Sequence, residues 1–217
     1  MTAQVDTLRQ ERGGSISLRL AHSSGRPRRA PGTGPVVPNA VIGTLIFLGA
    51  EAMLFGGLIS IFLVLRAGDG LWPPADQPRL PILVTAVNTL ILLLSGYTIH
   101  RAGRAIRGDH GRELRQWLTA TVLLGALFLA VQGVEWIRLV RYGLSATLSN
   151  YGGTFYTLIG CHALHVLGGV VLLLAVLRGA RRGRYSARSC GAVEACRLYW
   201  CFVVGVWPLL YVLVYLS

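Results

Sequence analysis

Apolar residues in this chain do not recur singly at helical or strand spacing; they fall into five runs of about 20, at 41–65, 81–99, 117–137, 154–177 and 198–216. A run of that length as a helix spans the roughly 30 Å hydrocarbon core of a bilayer, whereas a soluble domain of similar size alternates short apolar and polar segments. In hydrocarbon every backbone polar group must be satisfied inside its own segment. The runs therefore predict an all-α membrane protein, a bundle of five transmembrane helices over 41–217. Composition agrees: 53% hydrophobic, 14% charged, mean hydropathy +0.55.

The net charge of +12 does not point to nucleic acid, because the basic residues lie between the apolar runs and not along one soluble face. All 21 basic residues are arginine. Six arginines precede the first run, five follow the second, and six lie from Arg178 to Arg197, seventeen in all, against four in the remaining connections. The positive-inside rule then places the N-terminus in the cytoplasm and the C-terminus outside. Residues 1–40, rich in Arg, Ser, Gly and Pro, read as a disordered cytoplasmic tail able to rest on anionic headgroups. The four cysteines, Cys161, Cys190, Cys196 and Cys201, show no CxxC spacing and read as unpaired thiols. Trp72 beside Pro73 and Pro74 marks an interfacial turn after the first span, and Pro208 a kink within the fifth.

Polar side chains inside these runs are the informative residues, since burying them without partners is costly. Glu51 stands in the first span, Gln132 and Glu135 in the third, and His162 and His165 in the fourth, behind a polar turn that opens at Ser149. At 1.5 Å of rise per residue, Glu51 and His165 lie at nearly equal depth, roughly 15 and roughly 18 Å from the inner ends of their spans. Glu135 and His162 both lie toward the outer half. If the first, third and fourth helices pack together, the depths predict two pairs, Glu51 with His165 and Glu135 with His162. Ala52, Gly56 and Ser60 form a small-residue stripe on the first span that admits close helix approach.

Three readings of these groups compete. They are hydrogen-bonded to one another for structure, or they form a graded proton route, or they ligate a metal or haem. Two histidines three residues apart on one helix, with no carboxylate in the same motif, carry the third reading weakly. No glycine-rich phosphate loop, nucleophile elbow or HExxH occurs, so no soluble substrate is expected to bind directly.

Four ordered motifs then resemble one family. Phe47-Leu-Gly-Ala-Glu51-Ala-Met-Leu-Phe55, Phe128-Leu-Ala-Val-Gln132-Gly-Val-Glu135-Trp136, Ser149-Asn-Tyr151-Gly152-Gly-Thr-Phe155-Tyr156 with Gly160-Cys-His162-Ala-Leu-His165, and Tyr199-Trp200-Cys201-Phe202 with Trp207 are similar to segments of subunit III of the haem–copper terminal oxidases. The resemblance, over about residues 40–217, implies a non-catalytic subunit in its five-helix form. It implies a chain without redox centres, packed on and stabilising subunit I, with subunit II and membrane lipid as further neighbours. Haem and copper would sit in those partner subunits, in a proton-pumping respiratory complex of a bacterial plasma membrane. Glu51, Glu135, His162 and His165 match family positions that are buried and polar. Cys201 and Val204 stand where the family usually has His and Asp. That departure keeps open a quinol oxidase or a nitric oxide reductase as the partner, and a proton-coupled transporter is the alternative from another class.

Overall fold

The computed structural model describes residues 39–68, 82–142 and 150–216. Five helices follow one another: α1 (Asn39–Gly68), α2 (Ile82–Arg107), α3 (Gly111–Arg141), α4 (Asn150–Arg181) and α5 (Gly191–Tyr215). All five are long and apolar enough to cross a membrane, as the five runs require. The expected tail lies outside the described residues except for Asn39 and Ala40, which already belong to α1. The turn at Trp72 lies outside them as well.

The helices α2, α3, α4 and α5 overrun the apolar runs by several residues, at one end or at both. Arg101, Arg104 and Arg107 are on α2, Arg112 and Arg115 on α3, and Arg178 and Arg181 on α4, where the sequence reading had loops. Hydropathy marks the hydrocarbon crossing, not the end of the hydrogen-bond ladder. A helix persists into the headgroup layer, where arginine stems lie along it and their charges reach water. At the C-terminal ends of α2 and α4 the same charges also oppose the negative end of the helix dipole. The polar, Gly-rich start of the fourth segment is likewise helical, since α4 begins at Asn150.

Between α2 and α3 only Gly108, Asp109 and His110 intervene. Asp109 takes a left-handed conformation (φ 58°), which Asp adopts more readily than most residues, and the amides of Gly108, Asp109 and His110 cap the carbonyls of Arg104, Ile106 and Ala105. So short a link makes α2 and α3 antiparallel neighbours, and theirs is the most extensive helix contact. The α4–α5 link turns at Gly183 (φ 67°). The amide of Ala187 in that link donates to Asp109 Oδ1 (3.3 Å), so both links share one end of the bundle.

In cross-section α2, α3, α4 and α5 form a closed ring, each touching the next, while α1 packs outside it against α4 and α5. Among the described residues α1 makes no contact with α3, contrary to the arrangement supposed from depth alone. Only Val41, Phe55 and Phe62 of α1 are buried. Ile46, Met53 and Val64 are more than 70% exposed, as expected of a helix whose outer face meets hydrocarbon or another membrane subunit.

Trp200 and Trp207 pin α5 to the ring. An indole N–H in a low-dielectric interior needs an acceptor. Trp200 Nε1 donates to Ser95 Oγ (3.0 Å) and Trp207 Nε1 to Thr89 Oγ1 (2.8 Å), both on α2. Trp200 also fills the space left by two glycines. A Cβ at residue 125 on α3 would lie 2.6 Å from its ring, and one at residue 169 on α4 would lie 2.8 Å away. One side chain of α5 thus touches all three other helices of the ring. Pro208 sits inside α5, which the helix absorbs at the cost of the hydrogen bond to Val204 O.

Candidate functional site

The polar groups singled out from the sequence separate into three places. At the first, Glu51 of α1 meets His165 of α4, with Oε2 2.7 Å from Nε2. Both side chains are largely enclosed, at 14% and 13% exposure, so the contact forms in poorly solvated surroundings. Why α1 docks here follows from spacing. Phe47, Glu51 and Phe55 recur every four residues and share one edge of the helix. Phe55 meets the His165 ring edge-on at 5.1 Å, and Phe47 stacks on Tyr199 of α5 at 6.1 Å. Tyr199 in turn donates its hydroxyl to the backbone oxygen of His165 (3.1 Å).

Proton positions on this pair follow from its neighbours. His165 Nδ1 lies 2.7 Å from the carbonyl oxygen of Cys161, which can only accept, so Nδ1 carries a hydrogen. The remaining ring nitrogen and the carboxylate then share one proton across 2.7 Å, as imidazole with carboxylic acid or as imidazolium with carboxylate. Both forms leave the pair without net charge. That is why it is tolerated at this depth, where a lone charge would not be.

The second place lies nearer the far end of the bundle. Glu135, 8% exposed, accepts from Arg138 Nη1 at 2.9 Å, one turn along the same helix, and Arg138 reaches outward at 60% exposure. Arg138 snorkels, carrying the countercharge from solvent to a buried acid. One turn before Glu135, Gln132 donates to the Tyr215 hydroxyl (3.3 Å), joining α3 to the end of α5.

His162 is the third, and the expected Glu135–His162 pair is not formed. The registry of α3 against α4 explains why. His162 is level with Phe128, whose ring it meets edge-on at 6.4 Å, whereas Trp136 is level with Tyr156, at 5.9 Å. Glu135 therefore sits seven residues, roughly 10 Å along the helix, beyond the histidine. His162 instead lies at the centre of the ring, stacked on Trp207 at 4.9 Å, and neither ring nitrogen has a hydrogen-bond partner among the described residues.

The remaining motif residues build the packing around these places. Tyr151, Gly152 and Phe155 are buried on the first turns of α4, and Phe155 meets Tyr156 and Tyr215 edge-on at 5.3 and 6.0 Å. Gly160 lets the Trp136 ring approach to 3.4 Å of where a Cβ would stand. Sequence reasoning missed Phe47 and Tyr199 as a docking contact and Arg138 as the partner of Glu135. The signals were there in the four-residue and three-residue spacings to Glu51 and Glu135.

At Val204, where the resemblance expects an acid, the side chain is buried against Gly96, its Cγ1 3.1 Å from where a Cβ would stand. Among the described residues no three His, Cys, Asp or Glu side chains gather in a group able to hold a metal ion. Glu51, His165, Gln132 and Glu135 are each committed to a partner within the bundle.

Residues 32–217 match the family model described as cytochrome c oxidase subunit III. The chain is 40% identical over 177 residues to cytochrome c oxidase subunit 3 of Synechocystis sp., covering 81% of this chain and 75% of that protein. It is 38% identical to the protein of the same name from Thermostichus vulcanus, covering 81% and 86%. Along nearly its whole length, 99% of this chain and 98% of the other, it is 33% identical to the probable cytochrome c oxidase subunit 3 of Mycobacterium leprae. Five helices long and apolar enough to cross a membrane, matched by the family model along their whole length, place this chain in the cytochrome c oxidase subunit III family.

Proposed function

We propose that this multi-pass membrane protein is the non-catalytic subunit III of a respiratory haem–copper oxidase, packed on the subunit that reduces oxygen and stabilising it. The observation that carries the reading is the Glu51–His165 contact. Glu51 and His165 are committed to each other, and that contact fastens one helix to the bundle. Haem and copper belong to the partner subunits of such an oxidase. The outer face of α1, apolar and studded with Gly49, Gly56 and Gly57 whose Cα positions look onto open space, offers those partners a surface for close helix approach.

Orientation follows the arginines. The end of the bundle that holds the α2–α3 and α4–α5 links carries Arg104, Arg107, Arg178 and Arg181, which favours that end as the cytoplasmic one in a bacterial plasma membrane. The relatives named above are subunits of cytochrome c oxidases, which favours that enzyme class over a quinol oxidase or a nitric oxide reductase as the complex this chain joins. A proton-coupled transporter is disfavoured because the two acids are committed to separate partners, Glu51 to His165 and Glu135 to Arg138. Deleting the gene tests the proposal. The oxidase left behind should keep its haem spectrum per catalytic subunit while the yield and lifetime of active complex fall. An oxidase that loses its haem, or one that is indifferent to the deletion, would count against it.

A further inference from the structure

His162 is 1% exposed, and three aromatic rings enclose it: Trp207 over its face at 4.9 Å, Phe55 and Phe128 edge-on at 6.3 and 6.4 Å. A phenylalanine could make every one of these ring contacts. What imidazole adds is two polar atoms in the ring plane, and neither finds a partner among the described residues. A neutral imidazole has one N–H to donate and one lone pair to fill, and leaving both unmet in a buried site costs free energy comparable to lost hydrogen bonds.

The same layer of the ring holds another such atom. Asn88 of α2, also 1% exposed, donates its amide to the backbone oxygen of Phe128 (3.2 Å), and its Oδ1 has no partner among the described residues. The next residue, Thr89, accepts from the indole that stacks on His162. The centre of the four-helix ring is therefore more polar than its aromatic lining suggests, with donor and acceptor capacity left over on two helices.

We propose that His162 is an internal hydration site, binding water at the centre of the α2–α5 ring, with Asn88 Oδ1 as a further acceptor in the same layer. Water is the smallest group that can accept from the imidazole N–H and donate to its lone pair. It brings no charge into a region that cannot stabilise one. An apolar occupant would leave the ring nitrogens unmet.

Radiolytic hydroxyl labelling of the full chain in its membrane complex, read by mass spectrometry, tests this, because buried residues are modified only where water is held beside them. Trp200 is the internal control: as buried as Trp207, but with its N–H given to Ser95 in a layer with no unmatched polar atom among the described residues. His162, Phe128 and Trp207 should be modified severalfold faster than Trp200. Equal protection of all four would overturn the proposal. His162→Phe gives the second reading. It should abolish labelling at Phe128 and Trp207 and lower the melting temperature, because bound water and its hydrogen bonds are lost. A dry site would respond with an unchanged or higher melting temperature, since an unmet polar group would have been removed. Should the variant fail to assemble, the labelling contrast in the native chain decides alone.

Discussion

His165 faces Glu51 across 2.7 Å with its other nitrogen committed to the Cys161 backbone, and this contact bridges the outlying helix α1 and the four-helix ring. Since α1 buries only Val41, Phe55 and Phe62, the pair carries an unusual share of its attachment. Replacing Glu51 by Gln keeps a group that can donate to His165 Nε2, so we expect a mild loss of thermal stability in detergent. Glu51→Leu leaves that nitrogen unmet and should cost about 1–3 kcal/mol. The added cost should vanish in Glu51→Leu with His165→Leu, where neither polar group remains. Melting curves for the two single variants and the double variant check this; strict additivity would contradict the coupling.

Glu135 depends on a partner that reaches it from outside. Arg138→Met removes the countercharge from a nearly buried acid, and we expect destabilisation of a few kcal/mol, about 3–5 if the acid stays charged. Glu135→Gln in the same background should recover most of it. Arg141, exposed on the last turn of α3, is the control, and Arg141→Met should change stability little. Chemical denaturation of the reconstituted chain measures all three.

Trp200 can occupy its place only because residues 125 and 169 lack a Cβ. Gly125→Ala brings a methyl to 2.6 Å from the indole, closer than any real contact, and should destabilise by about 1–3 kcal/mol through overpacking. Trp200→Phe in the same chain should relieve part of that penalty while losing the bond to Ser95. Gly205→Ala on α5, exposed and with open space where the Cβ would stand, should leave melting unchanged.

Val204 stands where the family resemblance expects an acid, and its surroundings are apolar. Val204→Asp places an unpaired carboxylate against Gly96 and should abolish assembly or lower yield strongly. Adding Cys201→His, one turn before it on the same helix, supplies a partner at three-residue spacing and should restore part of the yield. Equal yields of the single and double variants would show that the two positions do not communicate.

Five long apolar runs made the helices legible, because bilayer thickness fixes their length. Their ends were not, since arginines leave the hydrocarbon without leaving the helix, and Arg101 to Arg107 belong to α2. Depth along each span was enough to bring Glu51 level with His165, because both distances are counted from the same end of the bundle. It failed for Glu135 and His162. Each residue's depth on its own helix says nothing about how α3 and α4 slide against one another, and Phe128 and Trp136 set that register through ring contacts with His162 and Tyr156. Trp200, Trp207 and Gly160 appeared in the sequence as motif letters. Their reason became visible only with the glycines and hydroxyls of the neighbouring helices in place.

Affinity purification of the tagged chain from its native membranes, with the co-purifying subunits identified and the haem spectrum recorded, tests the central claim most directly. The account predicts a many-helix partner that carries all the haem absorbance, and no Soret band from the same chain produced alone. A chain that purifies without such a partner, or that shows haem absorbance by itself, would contradict it.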